Sequence, residues 1–345
     1  MTTAIAPPQE SWQAYPAPEE FHASPEISTE DVPLCPVCSA REYRQHAVGF
    51  DYELRTCRNP WRFVQCTSCR HVWLNPRPAV AELGVIYPPN YYPYNYGRIN
   101  PVARRAKEML DRRKMAGILS RCPQQPRSYL DIGCGDGRFL RVLEGMGVPR
   151  PALYGLELDP AVVNRLRSEG YTGVFCERVE QASSLPEDGI DLVTMFHVIE
   201  HVDDPAAVVR ENRRRLSPGG VFALETPNLD SWDARLFERT CWGGYHIPRH
   251  WNLFNPHTIA RLLTDAGLEV AATVFQTGHS FWMYSLHHWV RYHGAPRPRL
   301  GECFDPMQSL FGIAGFTAFD LLRGAAEAKT SAMLVISRKP LEPPQ

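Results

Sequence analysis

The stretch "YLDIGCGDGRFL", residues 129–140, decides the fold. It reads as a short apolar strand, a turn of three glycines and the opening of a helix. Gly133, Gly135 and Gly137 let the backbone turn sharply and leave no Cβ between its amides and a ligand. A dinucleotide-binding turn runs G-x-G-x-x-G and cradles a pyrophosphate at the helix N-terminus. Here the third glycine comes one residue early and Asp131 precedes the turn. A carboxylate at that place repels phosphate and suits a cation.

The next apolar run, "ALYGLELDP", ends in Glu157, at the spacing where an acid accepts both hydroxyls of a ribose. A ribonucleoside with positive charge and no phosphates fits both acids, and S-adenosylmethionine has that chemistry. From Tyr129 onward, apolar runs alternate with amphipathic helices, as a parallel α/β sheet requires. Strands are predicted at 129–132, 153–157, 172–175, 190–195, 220–226, 268–275 and 331–337. "DPAVVNRLRSEG" and "DDPAAVVRENRRRLSPGG" each show an acidic cap, Pro in the first turn and a Gly stop. "NPHTIARLLTDAG" repeats the pattern with Asn255 as cap and Gly267 as stop. Residues 276–330 are too long for a hairpin between the last two strands and read as an inserted helical piece.

The motifs "LDIGCGDG", "GLELDP", "DLVTMFHVIEHVDDP" and "LSPGGVFALETPN" occur in an order that resembles the class I S-adenosylmethionine-dependent methyltransferases, over roughly 129–275. The resemblance implies a Rossmann-like α/β fold with a seven-stranded sheet. It also implies roles at matching positions. Asp131, Gly133 and Gly135 hold the methionine moiety, and Glu157 takes the ribose. Leu158 packs on adenine, Val179 and Glu180 line its edge, and Phe196 and His197 sit near the methyl group. "CERVEQASSLPEDG", which supplies that edge, departs from the family's usual small-Asp-Ala pattern. Glu200 and His201 in "HVIEHV" read either as an acid/base pair or as a capped turn.

Ahead of the glycine turn stand two paired-thiol turns, "CPVC" (35–38) and "CTSC" (66–69). Two such turns close a four-cysteine structural zinc site on Cys35, Cys38, Cys66 and Cys69. A ribbon this small lacks the apolar area to fold alone, and zinc would supply the missing stability. Cys57 and His71 are spare candidates. The layout from "CPVC" through "CTSCRHVWLNPRP" to "YPPNYY" resembles the zinc-binding N-terminal region of methyltransferases acting on sugars and other small metabolites. Such regions often show Gly after each pair, whereas Ser39 and Arg70 stand there in this chain. The resemblance brings the Tyr-rich segment to the substrate, making Tyr91, Tyr92 and Tyr94 candidate contacts.

The chain of 345 residues is 44% hydrophobic with a formal net charge of −1. That suffices for a large and a small domain, and no global field draws it to nucleic acid. The expected organisation is a disordered Pro-rich lead-in (1–32), a zinc ribbon (33–78) and a Tyr-rich segment with a basic helix (79–127). The methyltransferase core (128–275), a helical cap insertion (276–330) and the last strand with a tail (331–345) follow. The opening residues do not read as a signal peptide. The longest apolar candidate, "SLFGIAGFTAFDLL" (309–322), is too short to span a bilayer and contains Asp320. A cytoplasmic protein is the default expectation, although the insertion's aromatic face would also suit a membrane surface. The basic positions of "ARRAKEMLDRRKMAGILSRC" (103–122) read as a solvated face or as an attractor for an anionic substrate.

After "LETPN" the chain needs about 30 residues to reach the next helix, and loops that long are functional or disordered. This one contains "GGYHIPRHW" (243–251), with His246 and His250 four apart. Pro248 between them disfavours the helix that an i, i+4 metal pair needs. "PRH" before an aromatic and "LFNP" resembles the substrate-side motif of the sugar and small-metabolite methyltransferases. His250 is the first candidate base, His246 the second, and Arg249 a holder of an anionic or carbonyl oxygen; His197 completes the candidate catalytic set. The expected function is methyl transfer to oxygen or carbon of a small polar metabolite such as a sugar, nucleotide-sugar or natural-product intermediate. The competing readings are an RNA methyltransferase with the ribbon as reader and a non-catalytic ribbon protein.

Overall fold

The structure is a computed structural model that describes residues 18–88, 101–293, 297–306, 309–325 and 329–341. Tyr91, Tyr92 and Tyr94 lie outside the described residues. The chain divides into two compact units. One draws on the chain up to Pro88, on Pro227–Thr258 and on Phe275–Ala332; the other on Pro89–Thr226, Ile259–Val274 and Met333 onward.

The second unit is built on a seven-stranded sheet. Its order is Glu269–Gln276, Ala332–Arg338, Leu216–Pro227, Ile190–Phe196, Tyr129–Ile132, Leu153–Leu156 and Val174–Phe175. The Tyr129–Ile132 strand pairs in parallel with both neighbours and is buried at every position. That burial on both faces explains its unbroken apolar run. Leu140, Leu143, Val163 and Leu166 from two flanking helices pack into the same core. The helices start where the sequence caps them. Asp159 accepts from the Ala161 amide, Asp204 from Ala207 and Asn255 from Thr258. One stop differs: the Pro205–Arg215 helix passes straight into strand at Leu216, and the residues through Gly220 already belong to the sheet. Chain order reverses between Tyr129–Ile132 and Ile190–Phe196, so the crevice beyond their carboxyl ends is the ligand-binding switch point of such a sheet.

The first unit contains an antiparallel sheet ordered Asn252–Leu253, Val72–Leu74, Trp61–Cys66 and Tyr43–Gly49. The segment after "LETPN", expected within the core, therefore lends a strand to the cysteine-bearing sheet. Its aromatic residues bury there: Trp242, Tyr245, Ile247 and Trp251 share a core with Trp61, Phe63 and Val72. Residues 18–32 also depart from the expected disorder. Phe21 is fully buried against Phe50, Tyr52 and Tyr292, and Thr29–Glu30 pairs with Arg77–Pro78. The Pro-rich composition hid two apolar anchors, Phe21 and Ile27. The insertion forms helices His279–Tyr292, Pro298–Gly301 and Leu310–Ala325. The first and last run antiparallel, with the Gly278 amide on Asp320 and Trp282 stacked on Phe316. Among the described residues, no helix is long and apolar enough to cross a membrane.

Candidate active site and metal centre

The glycine turn begins where Tyr129–Ile132 ends. Gly133 and Gly135 both take positive φ, 71° and 51°. A Cβ on Gly133 would stand 2.5 Å from the Val198 side chain, whereas one on Gly135 would meet nothing within 4 Å. Gly133 is thus required by packing, and Gly135 borders open space into which a ligand can lean. Asp131 lies buried beneath the turn. Its Oδ1 accepts from Thr194 Oγ1 at 3.0 Å, and Thr194 is bonded in turn to the Tyr129 hydroxyl at 2.6 Å. Its Oδ2 is buried with no hydrogen-bond partner among the described residues. Burial lifts this carboxyl to about 7, against the Thr194 hydrogen bond and the Arg138 charge. A buried carboxylate oxygen left open is costly unless a donor or cation arrives, and an ammonium group is such a partner.

Glu157 accepts from the amides of Gly135 (2.9 Å), Leu158 (2.7 Å) and Asp159 (3.2 Å). A carboxylate offers about four lone-pair sites, so binding both ribose hydroxyls requires one amide to let go. Leu158, next to it, is 64% exposed, an apolar platform at the edge of the sheet. Val179 is buried, and Glu180 pairs with Arg178 at 3.1 Å. Phe196 packs edge-on against Phe139, with the Lys114 ammonium 5.0 Å from its ring centre.

Lys114 and Glu225 open a charge network that spacing did not reveal. Lys114 Nζ sits 2.5 Å from Glu225 Oε2. Glu225 Oε1 lies 3.4 Å from His197 Nε2, and His197 Nδ1 lies 3.2 Å from Glu200 Oε1. Glu200 Oε2 accepts from Thr226 Oγ1 at 3.0 Å. Burial works against charge on His197, but the two carboxylates outweigh it and raise its pKa to about 9. Burial likewise opposes charge on Glu225, and Lys114 overcomes it, holding that carboxyl down to about 2. The two carboxylates thus favour the protonated form of His197. Glu200 belongs to this network and to the turn Ile199–His201.

The 243–251 segment carries the other histidines. His250 Nδ1 lies 2.8 Å from the Gly244 carbonyl, and a carbonyl can only accept. The Nδ1 of a neutral His250 therefore bears the proton and Nε2 is its basic nitrogen. His246 Nδ1 lies 2.8 Å from Glu53 Oε2, and the two histidine rings are 4.9 Å apart. Arg249 does not fit the role expected of it. It is fully buried, and its Nη atoms bond both oxygens of Asp51 at 3.0 Å. Its remaining donors reach the carbonyls of Ile86 and Ile247 and the Thr56 hydroxyl. All five N–H groups of a guanidinium are thereby engaged within the protein, leaving none for a substrate oxygen. Asp51 stays ionised below the usual carboxylate range because Arg249 more than offsets its burial. Glu53 and Asp51 went unrecognised in the sequence, where neither stands in a motif.

A family model described as a methyltransferase domain matches residues 104–273. A probable S-adenosylmethionine-dependent methyltransferase from Mycolicibacterium smegmatis is 33% identical over 153 residues, 43% of this chain and 54% of that protein. The chain thus spans about half the length of that relative. A ubiquinone biosynthesis O-methyltransferase from Neisseria meningitidis serogroup A is 30% identical over 166 residues, 44% of this chain and 68% of that protein. The chain belongs to the S-adenosylmethionine-dependent methyltransferases. Among solved structures, a methyltransferase from Archaeoglobus fulgidus matches 67% of this chain and 94% of its own at 18% identity, with a TM-score of 0.42.

In this methyltransferase the four paired cysteines converge. Cys35 Sγ stands 3.5 Å from Cys69 Sγ, Cys38 Sγ stands 3.6 Å from Cys66 Sγ, and all four lie within 4.8 Å of one another. Tetrahedral thiolates about 2.3 Å from zinc stand roughly 3.8 Å apart, so the residues fit that ion. Each pair also folds alike. The Ser39 amide returns to Cys35 O and the Arg70 amide to Cys66 O, with Ser39 at φ 59° and Arg70 at φ 64°. These are the positions where related regions carry glycine, and the left-handed backbone supplies the reason. Cys57 and His71 stand outside the cluster; His71 Nε2 bonds Asn252 instead.

Proposed function

We propose that this methyltransferase transfers a methyl group to an oxygen or carbon of a small polar metabolite, most readily a sugar, nucleotide-sugar or natural-product intermediate, with His250 as the base. The observation that carries the donor reading is Asp131, whose open, buried Oδ2 lies under a turn that borders free space at Gly135. S-adenosylmethionine supplies a methyl group on a sulfonium, already an excellent leaving group. Asp131 takes the ammonium, Glu157 the ribose hydroxyls, and Leu158 and Val179 the adenine. Phe196 borders the methyl group. What remains for the protein is alignment, exclusion of water and removal of the acceptor's proton. As the acceptor O–H bond breaks, its proton would pass to His250 Nε2; the O–CH3 bond would form as the S–CH3 bond breaks, the electron pair staying on sulfur, and S-adenosylhomocysteine and the proton would leave afterwards. The names of the relatives favour oxygen as the acceptor atom. A structural zinc on Cys35, Cys38, Cys66 and Cys69 completes the reading, in a protein placed in the cytoplasm.

The test is incubation with methyl-labelled donor and a metabolite extract, followed by mass spectrometry. Label should enter a small hydroxylated product. Asp131→Ala and Glu157→Ala should lose donor binding by calorimetry. His250→Gln should keep that affinity and lose turnover by about 100-fold or more, the size of a general-base contribution. Normal donor binding in both acid variants would sink the reading.

A further inference from the structure

The ribbon turn beginning at Asp51 carries two acids two residues apart, and both meet the 243–251 segment. Asp51 pairs with Arg249 and Glu53 contacts His246. The two acids are not used alike. Asp51 has both oxygens filled: Oδ1 by the Leu54 amide and Arg249, Oδ2 by the Thr56 amide, the Thr56 hydroxyl and Arg249. That pair is closed and fixes the segment in place. The Glu53 side chain is only 4% exposed, yet neither oxygen makes a well-aligned hydrogen bond among the described residues. Its contact is the 2.8 Å approach to His246 Nδ1. A fold does not bury an under-satisfied carboxylate for stability, since an apolar residue of the same volume would do as well or better.

We propose that Glu53 is a positioning carboxylate of the methyl-transfer site, holding His246 by its Nδ1 and, through that ring, holding His250. His246 sits at φ 38°, in the left-handed region that non-glycine residues rarely enter. The His246 and His250 rings pack at 4.9 Å and 60°, so a shift of the first displaces the second. A base must stand within hydrogen-bond reach of the proton it takes, and about 1 Å of misplacement costs on the order of 100-fold in rate. The inference rests on His250 being the base.

Two variants and a ring-nitrogen signal test it. Glu53→Leu fills the volume without an acceptor; Glu53→Gln keeps an acceptor oxygen without the charge. Glu53→Leu should keep donor affinity and a Tm at or above that of the native protein while kcat falls about tenfold or more. The nitrogen-15 spectrum should show His246 leaving the Nδ1–H form. Glu53→Gln should recover part of both kcat and the Nδ1–H signal. Native kcat in Glu53→Leu, or an unchanged His246 signal, overturns the proposal; lost kcat with lost Tm and an unchanged signal makes Glu53 merely structural. His250→Gln separates the two claims. Native turnover in that variant removes the base reading, while the His246 signal still reports on Glu53.

Discussion

On the proposed reading, Asp131 carries opposite demands in the free and the donor-bound protein. Burial raises its carboxyl from 3.8 to about 7. The folded state thus holds the proton more tightly than the unfolded chain does. Its contribution to stability is complete below about pH 4 and is lost as pH rises through about 7. Asp131→Asn removes that ionisation. Relative to the variant, the native protein should lose thermal stability as pH climbs across this window without donor. Saturating donor should reverse the trend only in the native protein, because its ammonium pairs with the ionised carboxylate. Thermal unfolding with and without donor, at about pH 5 to 8, measures both effects; an equal donor-induced gain in the variant would discard Asp131 as the ammonium site. The place of this residue, buried at the end of a strand and under the glycine turn, was legible because it follows from a local motif. Arg249 was not, because its meaning lies in Asp51, 198 residues away in sequence. A bare arginine in a loop looks like a substrate contact until its partner is seen.

At the scale of elements, strands and caps were the most legible features, since period, cap and stop residues act within a few positions. The exceptions are informative. The Leu216–Pro227 strand begins ahead of the Gly219–Gly220 pair that looked like a stop, because its hydrogen bonds to Ile190–Phe196 continue past a bulge. The cysteine turns invite an element-level prediction. Ser39 and Arg70 occupy left-handed backbone, at φ 59° and 64°. A side chain there costs about 1 kcal/mol, part of which glycine gives back through its greater unfolded-state entropy. Ser39→Gly and Arg70→Gly should each raise stability by several tenths of a kcal/mol, up to about 1. Denaturant unfolding of the two variants and the double variant checks it. Destabilisation in both would mean that side-chain contacts at these turns outweigh their backbone cost.

At the scale of the molecule, sequence order misled where the chain leaves one unit and returns to another. The segment after the Leu216–Pro227 strand looked like a loop of the sheet that precedes it. It instead supplies Asn252–Leu253 to the cysteine-bearing sheet, register-paired with Trp73 and Val72. No local pattern encodes such an exchange, because two-residue strands carry no period. Asp131, Gly135 and Glu157 accordingly lie in one unit, while His246, His250, Glu53 and the four clustered cysteines lie in the other. A strong chelator should therefore strip zinc, loosen the antiparallel sheet and abolish turnover. Donor affinity should change by less than about twofold, since every residue proposed for the donor belongs to the unit that lacks the four clustered cysteines. Elemental analysis, calorimetry with donor and turnover, each before and after chelation and after zinc is restored, decide it. Donor affinity falling in step with turnover would show that the two units share their stability, and turnover indifferent to chelation would remove zinc from the account of this enzyme.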